Sequence, residues 1–103
     1  MKKQATDEVP RLSKEAETLY KTVAETWGIE DEPGKVTLLT ACQALDRLRE
    51  AQDAIRQDGL LLTDRFAQKK LHPATVIEKD SRAHLLQALK ALNLDLDSLK
   101  GGA

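Results

Sequence analysis

Apolar residues recur along this chain at three- and four-residue steps in three long blocks, each bounded by residues that start or stop a helix. In the first block Leu12, Ala16, Leu19, Tyr20, Val23 and Trp27 share one helical face. Ser13 sits where an N-cap belongs, Glu15 and Glu17 follow in the positive end of the helix dipole, and Gly28 offers a left-handed stop. A helix over about residues 12–27 is predicted. The turn from Ile29 to Gly34 is acidic and carries Pro33 and Gly34, both chain punctuators. A longer helix over about 35–58 is expected after it, with Leu38, Leu39, Cys42, Leu45, Leu48, Ala51 and Ile55 on a stripe that Gln52 interrupts. Arg49 is spaced to pair with Asp46 or Asp53 across its outer surface, and Gly59 ends it.

Residues 60–72 lose the helical period, and Leu60–Thr63 reads as a short extended segment, one arm of a small hairpin. Pro73 suits the first turn of a third helix, about 73–92, because its missing N–H would be an orphan donor there. Val76, Ile77, Ala83, Leu86, Leu89 and Leu92 are its expected buried face. Asn93 tolerates a left-handed cap, and Leu94 is placed to fold back against the helix. Residues 1–10 show no periodicity and read as a flexible N-terminal tail; Leu96 and Leu99 continue the pattern weakly before a flexible end at 101–103. The expected architecture is all-α, a single helical domain over 11–100: a helical hairpin, a short extended linker between helices 2 and 3, and a third helix packing back.

Composition narrows this picture. At 103 residues the chain is one domain's worth, and its only aromatics are Tyr20, Trp27 and Phe66. The core must rest on leucine and alanine, which suits packed helices better than a sheet. Leu19, Tyr20, Val23, Trp27, Leu38, Leu45, Leu48, Ile55, Leu86 and Leu89 are the candidates for the core or, where left over from it, for self-association. The lone Cys42 cannot form an internal disulfide or a multi-thiolate zinc site, and on the apolar stripe it reads as a small buried hydrophobe. Met1-Lys2-Lys3 starts like a secretory signal, but no apolar region follows, and the longest aliphatic run is Leu60-Leu61-Leu62. A cytoplasmic protein without membrane contact is expected.

Sixteen Lys and Arg against seventeen Asp and Glu give a net charge of −1, which excludes a protein that grips nucleic acid by bulk charge. Locally the balance differs: residues 15–34 carry one cation and six anions, whereas residues 59–103 carry seven cations and five anions. Arg65, Lys69, Lys70 and His72 lie close together, with Lys79 and Arg82 in the next helix and Lys2 and Lys3 in the tail. Cations beside a helix N-terminus suit phosphate contact, and these eight residues are the DNA-binding candidates; the bland reading is a solvated basic loop. Repeated around a ring, the patch sums to a strong cationic surface. A groove-reading helix–turn–helix is disfavoured by Glu30, Asp31 and Glu32 in the first turn and by Asp46 and Glu50 on the second helix. Asp80 and His84 have the spacing of two metal ligands, with His72 a further candidate, but no third ligand is evident and a surface hydrogen bond is the simpler expectation. No Gly-rich phosphate loop or Ser/His/Asp spacing stands out, so no enzyme, cofactor or metal is expected.

From Gly59 the chain reads Lys69-Lys70-Leu71-His72-Pro73-Ala74, then a helix with Arg82 and Leu86 that closes on Leu92-Asn93-Leu94. This string resembles the small terminase subunit of cos-type, HNH-associated tailed phages. Members of that family show a first amphipathic helix ending near a tryptophan, here Trp27, and a long second helix, where Asp46 lies in comparable surroundings. An extended link, an Asn-Pro or His-Pro helix start and a Leu-Gly-Leu closure follow. The resemblance covers roughly residues 12–99, with two departures: Ala67 stands where a glycine often precedes the Lys/His-Pro stretch, and Asn93 replaces the glycine of the closure. Many relatives also carry longer basic arms than residues 1–10. The resemblance implies a homo-oligomer, a ring, that engages viral double-stranded DNA and recruits or regulates the large terminase subunit during genome packaging in the host cytoplasm. The alternative is a small helical adaptor or packaging modulator that binds protein only.

Overall fold

The computed structural model describes residues 11–94, so the expectations placed on Lys2, Lys3, Leu96, Leu99 and both chain ends lie outside the described residues. The elements are α1 (Lys14–Trp27), α2 (Glu32–Asp58), β1 (Leu61–Thr63), β2 (Lys69–Leu71) and α3 (Ala74–Ala91). The architecture is the expected all-α one, with a two-stranded antiparallel ribbon as the link between α2 and α3. None of the described helices is long and apolar enough to cross a membrane.

The helix ends follow from local chemistry. Ser13 Oγ accepts the amide of Ala16 at 3.0 Å, and Gly28 closes α1 in the left-handed conformation at φ 60°. α2 starts earlier than the Pro-Gly pair suggests. Asp31 is its N-cap, accepting from the amide of Gly34 at 2.9 Å, and Pro33 falls in the first turn, where its missing N–H is harmless. Gly34 is needed for this cap, because a Cβ there would lie 2.8 Å from Asp31 Oδ1 and 2.9 Å from Ile29 Cγ2.

The long helix α2 is the spine. α3 runs back along it, and the buried seam consists of Ala41, Ala44, Leu48 and Ala51 on α2 facing Ala74, Ser81 and Ala88 on α3. The three α3 residues are spaced by sevens, the period of a close helix pair, and their small side chains let the two backbones approach. This corrects the expected buried face of α3. Val76 is 61% exposed and Leu86 60%, and Ile77 and Ala83 also face solvent, so Leu86 takes no part in the intramolecular core; Leu89 and Leu92 are half-buried. The physical reason is that a tight seam excludes the bulky side chains by which an apolar face is ordinarily recognised.

α1 completes the core by laying Ala16 and Val23 over Leu38, Cys42 and Leu45, with Leu19, Tyr20, Trp27, Leu85 and Leu94 packed around them. Leu48 is buried and Ile55 half-buried, nearer the far end of α2. Burial pushes the Cys42 thiol up to about 11, so it stays protonated and inert. The start of α1 is pinned from α2: Asp46 accepts both the amide of Ser13, at 2.9 Å, and its hydroxyl, and Arg49 pairs with Glu15 at 2.9 Å. Arg49 therefore does not pair along its own helix with Asp46 or Asp53, as its spacing suggested, because α1 brings a partner to that face; Asp53 pairs with Arg56 instead. At the other end Asn93 adopts φ 54°, donates to the carbonyl of Lys90, and turns Leu94 back onto the core.

The seam predicts opposite outcomes for two substitutions at one position. Ser81 is buried and its hydroxyl makes no hydrogen bond among the described residues, so Ser81→Ala should be neutral or stabilise by up to about 1 kcal/mol. Ser81→Leu should destabilise by about 1–3 kcal/mol through overpacking. Chemical denaturation of both variants checks this.

Candidate functional site

Beyond the reach of α1, the spine ends in an arm. Gly59 leaves α2 at φ 88°, ψ 155°, a conformation that side chains rarely tolerate, and turns the chain into β1. Leu61, Leu62 and Thr63 pair with Leu71, Lys70 and Lys69, and the amide of His72 adds one more bond to the carbonyl of Leu60 at 2.7 Å. The extended segment expected at Leu60–Thr63 is thus one arm of a real hairpin.

Its loop is built by Asp64. The Asp64 amide donates to Gln68 at 2.8 Å, leaving Arg65, Phe66 and Ala67 as a three-residue loop, and the Ala67 amide returns to the Asp64 carbonyl at 2.9 Å. Such a loop is a tight turn followed by a left-handed residue, and Ala67 takes that place at φ 63°. The Asp64 carboxylate accepts from the amides of Gln68 (2.9 Å) and Phe66 (2.8 Å) and meets Lys70 Nζ at 3.5 Å. The Gln68 and Phe66 amides, with help from Lys70, hold that carboxyl below its ordinary range.

His72, counted among the surface cations, is only 8% exposed and has a structural role, which corrects its assignment to a phosphate-facing patch. Nδ1 accepts the amide of Ala74 at 2.9 Å, so the ring hydrogen sits on Nε2, which donates to Asp58 Oδ2 at 2.8 Å. The His72 carbonyl accepts from the amide and hydroxyl of Thr75. One imidazole therefore ties the start of α3 to the end of α2, and Pro73, expected in the first turn, is instead the N-cap residue, with helical φ −57° and ψ −27° one position before α3.

The remaining cations do not form one uniform patch. Cross-strand register puts Lys69 on the same face as Leu61, Thr63 and Leu71, whereas Lys70 shares the opposite face with Leu62. Arg65 stacks over the Phe66 ring, 5.1 Å from its centroid. Lys79 and Arg82 lie along α3, where Arg82 reaches Glu78 at 3.5 Å. The arm also carries an apolar surface that charge counting missed: Leu60, Leu61 and Leu71 are exposed, and Phe66 at the tip is 69% exposed. The available signal was Leu61 and Leu71 flanking a loop opened by aspartate, which a hairpin register turns into one face. Asp80 and His84 form no hydrogen bond with each other, and among the described residues no group of three His, Cys, Asp or Glu is placed to hold a metal ion. Compared with protein-family models, curated proteins and solved structures, the chain finds no match in any of the three.

Two outcomes follow for the loop. Ala67→Gly should stabilise the protein by about 1 kcal/mol, since glycine reaches positive φ without the Cβ clash. Asp64→Ala should speed amide exchange at Phe66 and Gln68 while Asp64→Asn, which keeps an acceptor, should slow the loss. Because the folded carboxyl titrates below its unfolded counterpart, the Asp64 contribution is complete above about pH 4 and fades as pH falls further. Amide-exchange protection of Phe66 and Gln68 that is unchanged through acid pH contradicts this.

Proposed function

We propose that the protein is a small terminase subunit, which self-assembles, engages viral double-stranded DNA and regulates the large terminase subunit without catalysing a reaction itself. The observation that carries this reading is conformational. Among the described residues the non-glycine positions with positive φ are Ala67 and Asn93. These are the two positions at which the family resemblance has glycine. The backbone thus asks for glycine where that family supplies it, once before the His-Pro helix start and once in the Leu-x-Leu closure. The element order, with α1 ending at Trp27, a long α2, an extended link and a helix opened by His72-Pro73, supports the same reading.

In this reading Arg65, Lys69, Lys70, Lys79 and Arg82 supply phosphate contacts on the arm and on α3, with Lys2 and Lys3 in the segment that precedes α1. One copy offers few contacts and a net charge of −1, so retention of DNA depends on several copies acting together. The near-neutral charge and the apolar arm also favour a second reading, an adaptor that binds protein alone.

Titration of the protein with duplex DNA across a salt series separates the two. The terminase reading expects binding that weakens steeply with salt, and Lys70→Glu with Lys79→Glu should lower affinity at least tenfold at about 50 mM salt and flatten the salt slope. An unchanged affinity and slope rejects the assignment of these cations. Absence of any DNA retention at low salt, with a stable heteromeric protein complex, selects the adaptor.

A further inference from the structure

The two ends of the spine are complementary. At the hairpin end the exposed Phe66 ring lies under Arg65, with Lys69 and Lys70 on the strand that leaves the loop, and the loop anion Asp64 is occupied by the loop's own amides and Lys70. At the opposite end the α1–α2 turn exposes Glu30, Asp31 and Glu32 beside a shallow pocket of about 260 Å³, whose lining includes Ile29, Pro33, Ala91 and Leu92. One end is a cationic knob with an apolar tip. The other is an anionic rim around a partly apolar socket.

We propose that the hairpin of one copy docks on the α1–α2 turn of the next, Phe66 entering the pocket and Arg65 and Lys69 facing Glu30 and Glu32. The chain's own hairpin cannot be the occupant, because α2 separates the two ends by about 40 Å at 1.5 Å per residue; the complementary charge of the two ends assigns it to a second copy. Knob and socket are different surfaces, so the contact is head-to-tail and closes into a ring or continues as a filament. Leu61 and Leu71, on the same hairpin face as Lys69, extend the apolar part of the contact. Lys70, on the other face, and Lys79 and Arg82 on α3 remain for a duplex. The inference rests on the self-assembly part of the proposed function and names its interface.

A charge-swap experiment without DNA tests it. One variant carries Arg65→Glu and Lys69→Glu; the other carries Glu30→Lys and Glu32→Lys, leaving the capping Asp31 intact. Each alone should associate at least tenfold more weakly than the parent, with unchanged circular dichroism. Mixed, one tagged and one not, the two should regain association, and adding Phe66→Ser to the first should abolish that rescue. A monomeric parent, reversed variants that associate as the parent does, or a mixture without rescue each overturns the proposal. Since no nucleic acid is present, association that persists while DNA retention fails leaves this interface standing and removes only the DNA-binding reading.

Discussion

The close approach of α2 and α3 is the constraint on which the other features depend. Alanines at 44, 51, 74 and 88 and a serine at 81 leave little room between the helix backbones. Leu48 apart, the seam is filled by small residues, and most bulky side chains go elsewhere. Some meet α1, which supplies Ala16 and Val23 to the cluster around Leu38, Cys42 and Leu45. Others, including Val76 and Leu86, stay at the surface. Asp58 and His72 lie within hydrogen-bonding reach at the same end of the pair, and their bond ties the start of α3 to the last turn of α2.

The sequence-level signals that succeeded were those whose chemistry is local. Ser13 as a cap and Gly28 and Asn93 as left-handed stops need only their own neighbours, and each is found in its expected place, while Pro73 stands at the N-cap, one position short of the expected first turn. The failures share a different cause. Periodicity points to the wrong face of α3 because it weights bulk, whereas this seam selects smallness. Spacing pairs Arg49 and Asp46 along one helix, yet their partners Glu15 and Ser13 arrive from another. Residue type alone places His72 among the cations, although its ring is enclosed by Asp58 and the amide of Ala74. The hairpin was legible as an extended stretch, but which lysine shares a face with the leucines depends on register, and register is fixed by the Asp64 loop.

Near-neutral total charge takes on a definite meaning once the elements are placed. The acids of residues 30–32 and the cations of residues 65–70 do not cancel locally, because the spine holds them at opposite ends. A chain with this distribution has little long-range attraction for nucleic acid as a single copy, and its oppositely charged ends are the complementarity on which the proposed contact between copies rests. The arm's apolar tip adds contact area that charge alone does not provide. In the proposed head-to-tail assembly, part of the positive charge is buried between copies and the rest is arrayed for an anionic polymer, so the two proposals share one charge distribution.

The central claim is that the single chain is the unit of a larger assembly, and the mass of the unmodified protein in solution tests it most directly. Sedimentation equilibrium from about 1 to 100 µM should give a defined multiple of 11.4 kDa that lightens as salt is raised, because charged ends hold the copies together. A mass of 11.4 kDa at every concentration and at low salt contradicts the account.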